Sequence, residues 1–424
     1  MRRGDFLKGS LALAVLGWDG CATAGTPGET LPPWEEGNLD LHFIYTGCGE
    51  NIFYRLPDGT AVLNDVGEAY RPKCLDVCPL LPSPDRLGGD WVTRYLKRIY
   101  PEKVIDYAIF SHWHEDHVGH AHFGDRPKTP NDDFRYRVAP DGTRVCGFTC
   151  VAQEFGIRRL YDHQFPLRGT YNSHGTAMRC VDDWLKTSRA KDVVHEPFVV
   201  GALDQIRLQR HPERYAGIFS VRNIAANGVV WDGANGTLDL AGEHVRVTGA
   251  KTVEQNVLSA MFLIRYGKFS YFASGDMEHM KFRRADGSSV DFEETLGKLV
   301  GPVTVCKAGH HGCRSSNGRK FVDLVRADAY VACMWDSEQM HPDGLERMHS
   351  VRSAASDRRP LLLPQLLMPR QKKWFSDHGI VLPYPDAVHV VVRVSPGGEN
   401  YRVYLLDARD EQMRVVAKFS RIAG

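Results

Sequence analysis

After its first two dozen residues the chain has no run of ~20 apolar residues, so nothing later in the sequence is built to cross a bilayer as a helix. It has no charge excess either. Its 53 Lys and Arg stand against 52 Asp and Glu, a formal net charge of +1, so no global field draws it onto nucleic acid or membrane, and any polyanion contact must be local. Internal repeats and a glycine-rich nucleotide loop are absent, and GCGEN (47–51) lacks the length and the lysine of a phosphate-binding loop. Disorder is excluded by composition, since 43% hydrophobic and 25% charged residues over 424 positions suffice for one large or two ordinary cores. What the chain has in quantity is histidine, 18 in all, several of them crowded into one short stretch.

Residues 1–24 read as an export signal: Arg2 and Arg3, the apolar run Leu11 to Leu16, then the small residues Ala22-Thr23-Ala24. Arg2-Arg3 followed by Phe6-Leu7-Lys8 is similar to a twin-arginine signal with one residue too many before the Phe. Cys21 offers a lipoprotein alternative, which Trp18-Asp19-Gly20 disfavours. The mature chain is therefore expected to be exported, periplasmic or secreted, with no transmembrane segment and with residues 25–38 as a linker. Export would permit disulfides within Cys74/Cys78 and Cys146/Cys150; a four-cysteine zinc cage is the competing reading.

From residue 39 to 67 short apolar runs alternate with turn residues, which predicts a β-meander. WVTRYLKRIYP (91–101) places Trp91, Val92, Tyr95, Leu96 and Ile99 on one helical face, and VIDYAIF (104–110) reads as a buried strand. That strand runs straight into SHWHEDHVGH (111–120). Residues two apart on an extended segment face the same way, so His112 and His114 can grip one ion, while Asp116 and His117 turn toward a second. Imidazoles with a carboxylate suit zinc, or manganese or iron given more oxygen ligands.

The His-x-His-x-Asp-His loop resembles the signature of the metallo-β-lactamase superfamily. Seven segments in order, GCGEN, LNDVG, SHWHEDHVGH, EQNVLSAMFLIRYG, YFASGDME, CKAGHHGCRSSN and MHPDGLERM, look like the hydrolase domain of ComEC-type competence DNA-uptake proteins. The resemblance implies an α/β fold, a four-layer αβ/βα sandwich over 39–350, with a large insertion at about 123–235 overhanging the metal site and a C-terminal β-extension at 351–424. It further implies Asp276 as a carboxylate bridging two ions and His311 as the last metal donor, with His310 facing substrate; on sequence alone these two histidines are interchangeable. The metal set is thus His112, His114, Asp116, His117, Asp276 and His311, for two zinc ions of which the first, lacking a third imidazole, is the weaker. Asp116, His310 and His341 are the candidate catalytic residues, with His341 read either as a proton donor or as a helix cap. Lys307, Asn256 and Ser315 are candidate substrate donors.

The implied activity is metal-dependent hydrolysis by a metal-bound hydroxide, of a phosphodiester or a nucleic acid first. A lactam, lactone or thioester is the alternative, and a non-catalytic metal-binding module a third. RQKKW (370–374) could touch phosphates or be a solvated basic edge, and Trp113 could stack on a ring or simply pack. For the N-terminus, intact-mass measurement on protein from the cell envelope should give a chain starting near Gly25; a retained Met1 in cytoplasmic protein would contradict the export signal.

Overall fold

The computed structural model describes residues 22–69, 80–119, 136–163, 175–384 and 386–424. Two large sheets dominate. The first has the strand order β1 (Ala22–Ala24), β22 (Val415–Ile422), β21 (Asn400–Asp407), β20 (Val388–Val394), β2 (Leu39–Phe43), β3 (Asn51–Arg55), β4 (Ala61–Val66), β5 (Val104–Phe110), β8 (Gly156–Asp162) and β9 (Val194–Pro197). The second runs β12 (Thr237–Asp239), β11 (Val229–Trp231), β10 (Phe219–Ala226), β13 (Met261–Tyr266), β14 (Phe269–Ala273), β17 (Val305–Lys307), β18 (Ala329–Ala332) and β19 (Leu361–Pro364). Two small hairpins, β6 (Arg137–Val138) with β7 (Arg144–Val145) and β15 (Lys281–Arg283) with β16 (Ser289–Asp291), lie outside them.

Side-chain alternation assigns the layers. Ile52 and Tyr54 of β3, and Tyr107 and Ile109 of β5, join the core shared with Phe262, Tyr271 and Val305 of the second sheet. Phe53, Ala108 and Phe110 face the other way, onto α1 (Gly88–Ile99), α3 (Phe148–Ala152) and α4 (Gly175–Leu185). The second sheet is backed by α6 (Phe292–Val300) and α7 (Arg319–Val325), with Phe321 packed 6.3 Å from Phe272, and next to them stands α8 (Pro342–His349). The order helix, sheet, sheet, helix is the four-layer α/β sandwich expected from the signature loop. At the seam, Tyr54 shares a 3.2 Å hydroxyl contact with Tyr271 and donates to Asn64 at 3.1 Å, tying the sheets together.

Both sheets change from antiparallel to parallel near the centre. In the first, β4, β5, β8 and β9 run parallel; in the second, β14, β17, β18 and β19 do. Loops leaving the C-terminal ends of parallel strands collect at one edge, which is where α/β sheets place their chemistry.

Several local readings change. The segment at 123–235 contributes strands to both sheets, for β8 and β9 extend the first and β10 pairs with β13 inside the second; residues 120–135 and 164–174 lie outside the described residues. The stretch after 351 supplies β19 to one sheet and β20–β22 to the other, and RQKKW lies in α9 (Pro369–Asp377), with Trp374 buried. Cys150 is a buried free thiol, so no bridge to Cys146 forms; a backbone turn running Cys146 to α3 leaves the two sulfurs on separate packing faces. Cys74 and Cys78 lie outside the described residues. Ala22–Ala24, read as a cleavage site, pairs with β22 as an edge strand. Among the described residues no helix is long and apolar enough to cross a membrane.

The turn after β4 is fitted to the histidine loop at van der Waals contact. A Cβ added at Gly67 would lie 1.6 Å from the carbonyl oxygen of Asp116, a backbone atom that cannot swing aside. Gly67→Ala is therefore expected to lower stability by ~3 kcal/mol, the upper part of the range for overpacking, measured by urea unfolding. An unchanged midpoint would show that the loop can retreat.

Candidate metal centre

The ligand loop is built by handing a strand over to one helical turn. After β5 the chain bends at Trp113, and His114, itself extended, caps the four-residue helix α2 (Glu115–Val118) that carries Asp116 and His117. Its backbone is stitched to the neighbouring turns: Glu50 N–H donates to Asp116 O at 2.8 Å, and Glu68 N–H to Glu115 O at 2.8 Å. As the alternation predicted, His112 and His114 come together, with Nε2 of one 2.9 Å from Nδ1 of the other.

Asp276 is the point of convergence. It follows β14 through Ser274 and Gly275, and its N–H is held by Ser259 Oγ at 3.1 Å. Its Oδ2 lies 3.1 Å from His117 Nε2, 3.1 Å from His311 Nε2 and 3.8 Å from His112 Nε2. Asp116 Oδ2 stands 3.5 Å from the same His311 nitrogen. A tetrahedral ion with bonds of about 2.1 Å holds its donors about 3.4 Å apart, so the 3.1 Å approaches of His117 and His311 to Asp276 Oδ2 are close to the spacing of ligands on one ion. Glu50, His117, Asp276 and His311 are all buried, with candidate ligand atoms within 4.8 Å of one another. Neither ring nitrogen of His311 has a well-aligned hydrogen bond, but each faces a carboxylate, Nδ1 at 3.3 Å from Glu50 Oε2 and Nε2 at 3.1 Å from Asp276 Oδ2. A buried imidazole set among acids in this way suits a cation between them.

The electrostatics agree. Burial opposes the protonated forms of His117 and His311, yet Asp276 and the neighbouring carboxylates outweigh it and hold both imidazoles well above their usual pKa. Burial likewise works against ionised Asp276, but His117, His311 and Lys307 keep its carboxyl well below the usual range. His112, buried beside the cationic His117, is pushed well below. The site thus favours positive charge at the His117–His311–Asp276 corner, where a divalent ion would replace protons.

Supporting contacts fix the ligands. Asp65, at φ 61° near the end of β4, accepts from Ser111 N–H at 2.8 Å and meets His117 Nδ1 at 2.9 Å, which leaves Nε2 facing Asp276. Ser111 Oγ lies 3.0 Å from His112 Nδ1 and 3.1 Å from His117 Nδ1. Glu50 and Asp65 sit in GCGEN and LNDVG but went unassigned in the sequence, where an acid beside glycines reads as a turn former. Lys307 is corrected. Its ammonium is 1% exposed and bound to Glu50 Oε2 at 2.9 Å and Asp276 Oδ1 at 3.2 Å, so it braces the carboxylates from beneath and does not present itself to a substrate.

The remaining candidates form a rim. His310 Nδ1 lies 2.8 Å from Glu278, Ser315 Oγ donates to the same carboxylate at 3.2 Å, and Asn256 Nδ2 stands 3.3 Å from His310 Nε2. His341 is the N-cap of α8: its Nδ1 accepts from Asp343 N–H at 3.2 Å, and no contact joins its ring to the metal ligands. Trp113 is fully buried against Phe110, 5.3 Å between rings, which makes it a packing residue.

No protein-family model and no curated protein matches the sequence. Among solved structures, a candidate metal-dependent hydrolase from Parabacteroides distasonis aligns over 84% of this chain and 99% of its own, at 8% identity and a TM-score of 0.34. Zinc-bound PqqB from Methylobacterium extorquens aligns over 69% and 88%, at 10% identity and the same TM-score of 0.34. Scores this low leave the chemistry to be judged from the side chains themselves.

Purified protein is expected to take up zinc, read by elemental analysis after dialysis against the metal. His117→Ala and Asp276→Asn should each weaken retention by tenfold or more, since each removes a donor. Equal metal content in the wild type and both variants would rule this corner out.

Proposed function

We propose that the chain is a metal-dependent hydrolase of the metallo-β-lactamase fold, acting on phosphodiesters. The observation that carries the reading is the convergence of His117 and His311 on Asp276 Oδ2, with Glu50 completing a buried set of candidate donors within 4.8 Å of one another. Such an ion, when bound, supplies Lewis acidity and a water acidified toward neutral pH. The rest falls to the protein. Asp65 aims His117, Lys307 and Glu50 fix the far side of Asp276, and His112 and His114 are the imidazoles that would help to hold a second ion. His310 and His341 are the imidazoles left for proton transfer, and Asn256 and Ser315 the neutral donors beside His310.

A second reading, hydrolysis of a carbonyl ester such as a lactone, is favoured by one feature. The nearest lysine is committed below the carboxylates, and Glu278 places an acid at the rim, which suits a neutral substrate better than an anionic one. A nucleic acid would need a cationic track, and Arg314, at the same rim, is itself paired with Asp343 at 2.9 Å.

Steady-state assays with zinc or manganese added should show hydrolysis of bis-p-nitrophenyl phosphate exceeding that of β-lactam, lactone and thioester substrates, with Asp276→Asn as the blank. His341→Ala should lower kcat by ~10²-fold if that ring protonates the leaving group, whereas loss of the cap alone would cost about 1 kcal/mol of stability and leave kcat near wild type. Faster turnover of lactone than of any phosphodiester would transfer the assignment to the second reading.

A further inference from the structure

His311 is presented by a backbone that does not hold itself in place. In the turn Gly309–Gly312, His310 (φ 43°, ψ 52°), His311 (φ 53°, ψ 18°) and Gly312 (φ 75°) are consecutively left-handed, a conformation that histidine rarely adopts even singly. Such a run persists only where its surroundings over-determine it. The downstream side is held by Met340 N–H to His311 O at 2.9 Å and His341 N–H to Gly312 O at 3.0 Å. The upstream side is held by two side chains, Asn317 and, more simply, Ser316.

Asn317 is fully buried, and its amide meets both polar backbone groups of Gly309: Oδ1 accepts from Gly309 N–H at 3.0 Å, and Nδ2 donates to Gly309 O at 3.1 Å. Ser316 Oγ adds a 2.7 Å bond to the same carbonyl. Gly309 cannot slide toward β14, because a Cβ there would already lie 2.6 Å from Met277 O. Asn317 is anchored in turn. Its own N–H donates to Glu293 Oε1 at 2.7 Å, the next N–H, of Gly318, to Glu293 Oε2 at 2.8 Å, and its carbonyl accepts from Arg347 Nε at 2.9 Å. Thus a carboxylate from α6 and a guanidinium from α8 fix the residue that fixes the metal-binding turn.

We infer that Asn317 is a positioning residue for the metal ligand His311, acting through its two-bond clasp on Gly309. The inference rests on the reading of His311 as a ligand. The residue type follows from two requirements met at once. The position itself has φ 55°, which Asn tolerates better than other side chains that branch or lack a local partner. The clasp also needs a donor and an acceptor on two adjacent atoms, which a carboxylate or an alkyl group cannot supply and a hydroxyl offers only from one atom.

Two variants separate positioning from stability. Asn317→Gly keeps the left-handed backbone and removes the clasp; Asn317→Asp keeps shape and acceptor but sets an oxygen against Gly309 O. Zinc dissociation constants, measured by competition with a chromophoric chelator, are compared with the unfolding midpoints of the metal-free proteins. Affinity weakened at least tenfold in folded Asn317→Asp, with a larger loss in Asn317→Gly, is the expected result, of the size that outer-shell partners of metal ligands typically contribute. Wild-type zinc affinity in either folded variant would overturn the inference. So would failure of Asn317→Asp to fold, with Ser316→Ala binding zinc as the wild type does, because Asn317 would then serve stability alone. A wild-type protein that takes up no zinc would overturn the metal reading itself, and the inference with it.

Discussion

Everything at the centre of this molecule depends on buried negative charge. Glu50, Asp65 and Asp276 are removed from water within one small volume, with Asp116 at its edge. Carboxylates in such a place are tolerated only when positive charge is supplied. Lys307 supplies one permanent charge, from below, to Glu50 and Asp276. It cannot reach the opposite oxygen of Asp276, where His117 and His311 gather. That side is left to protons or to a metal ion, and a metal ion satisfies the donors whose spacing the backbone has already set.

The fold brings this about by making the site a property of the seam. Glu50, Asp65, His112, Asp116 and His117 come from loops of the first sheet, whereas Asp276, Lys307 and His311 come from the second. Neither sheet holds a complete ligand set. The aromatic packing of Tyr54, Phe43 and Phe262 around Tyr271 and its neighbours is therefore also what holds donors from the two halves at bonding distance. Coupling of this kind makes global stability and metal affinity hard to separate by mutating ligands, and easier to separate by mutating the residues that aim them.

The parts of the site legible in the sequence are those whose logic is local. His112, His114 and His117 declare themselves because alternation and one helical turn fix their geometry within six residues. Asp276 and His311 were legible only through resemblance, since nothing near either residue states that the two will meet across a seam. Glu50 and Asp65 were missed because a carboxylate near a glycine, Gly49 before the one and Gly67 two residues after the other, has an ordinary use in turns. Lys307 was misassigned for a related reason: a lysine is assumed to seek solvent until its partners are known, and both partners lie more than 30 residues away. Fold followed the same rule. The meander, α1 and β5 were readable from periodicity, but the pairing of β8 with β5 and of β10 with β13 depends on long-range register, which no local pattern within residues 123–235 states.

The placement of Lys307 bears on the rim as well as the floor. Were its ammonium free, an anionic substrate would meet a lysine beside the ions; instead the charge is consumed by Glu50 and Asp276, and the first polar groups above the metal corner are His310, Glu278, Ser315 and Asn256. Attraction for a phosphoryl group must then come from the ions themselves. A single divalent ion at this corner would be opposed by the carboxylates around it and would leave little attraction for an anion. A second ion, which His112 and His114 would help to hold, would add positive charge and favour an anionic substrate over a neutral one. Metal occupancy is thus the variable that would shift the site between neutral and anionic substrates, and Lys307, by holding Asp276 Oδ1, leaves Oδ2 as the oxygen that faces His117 and His311.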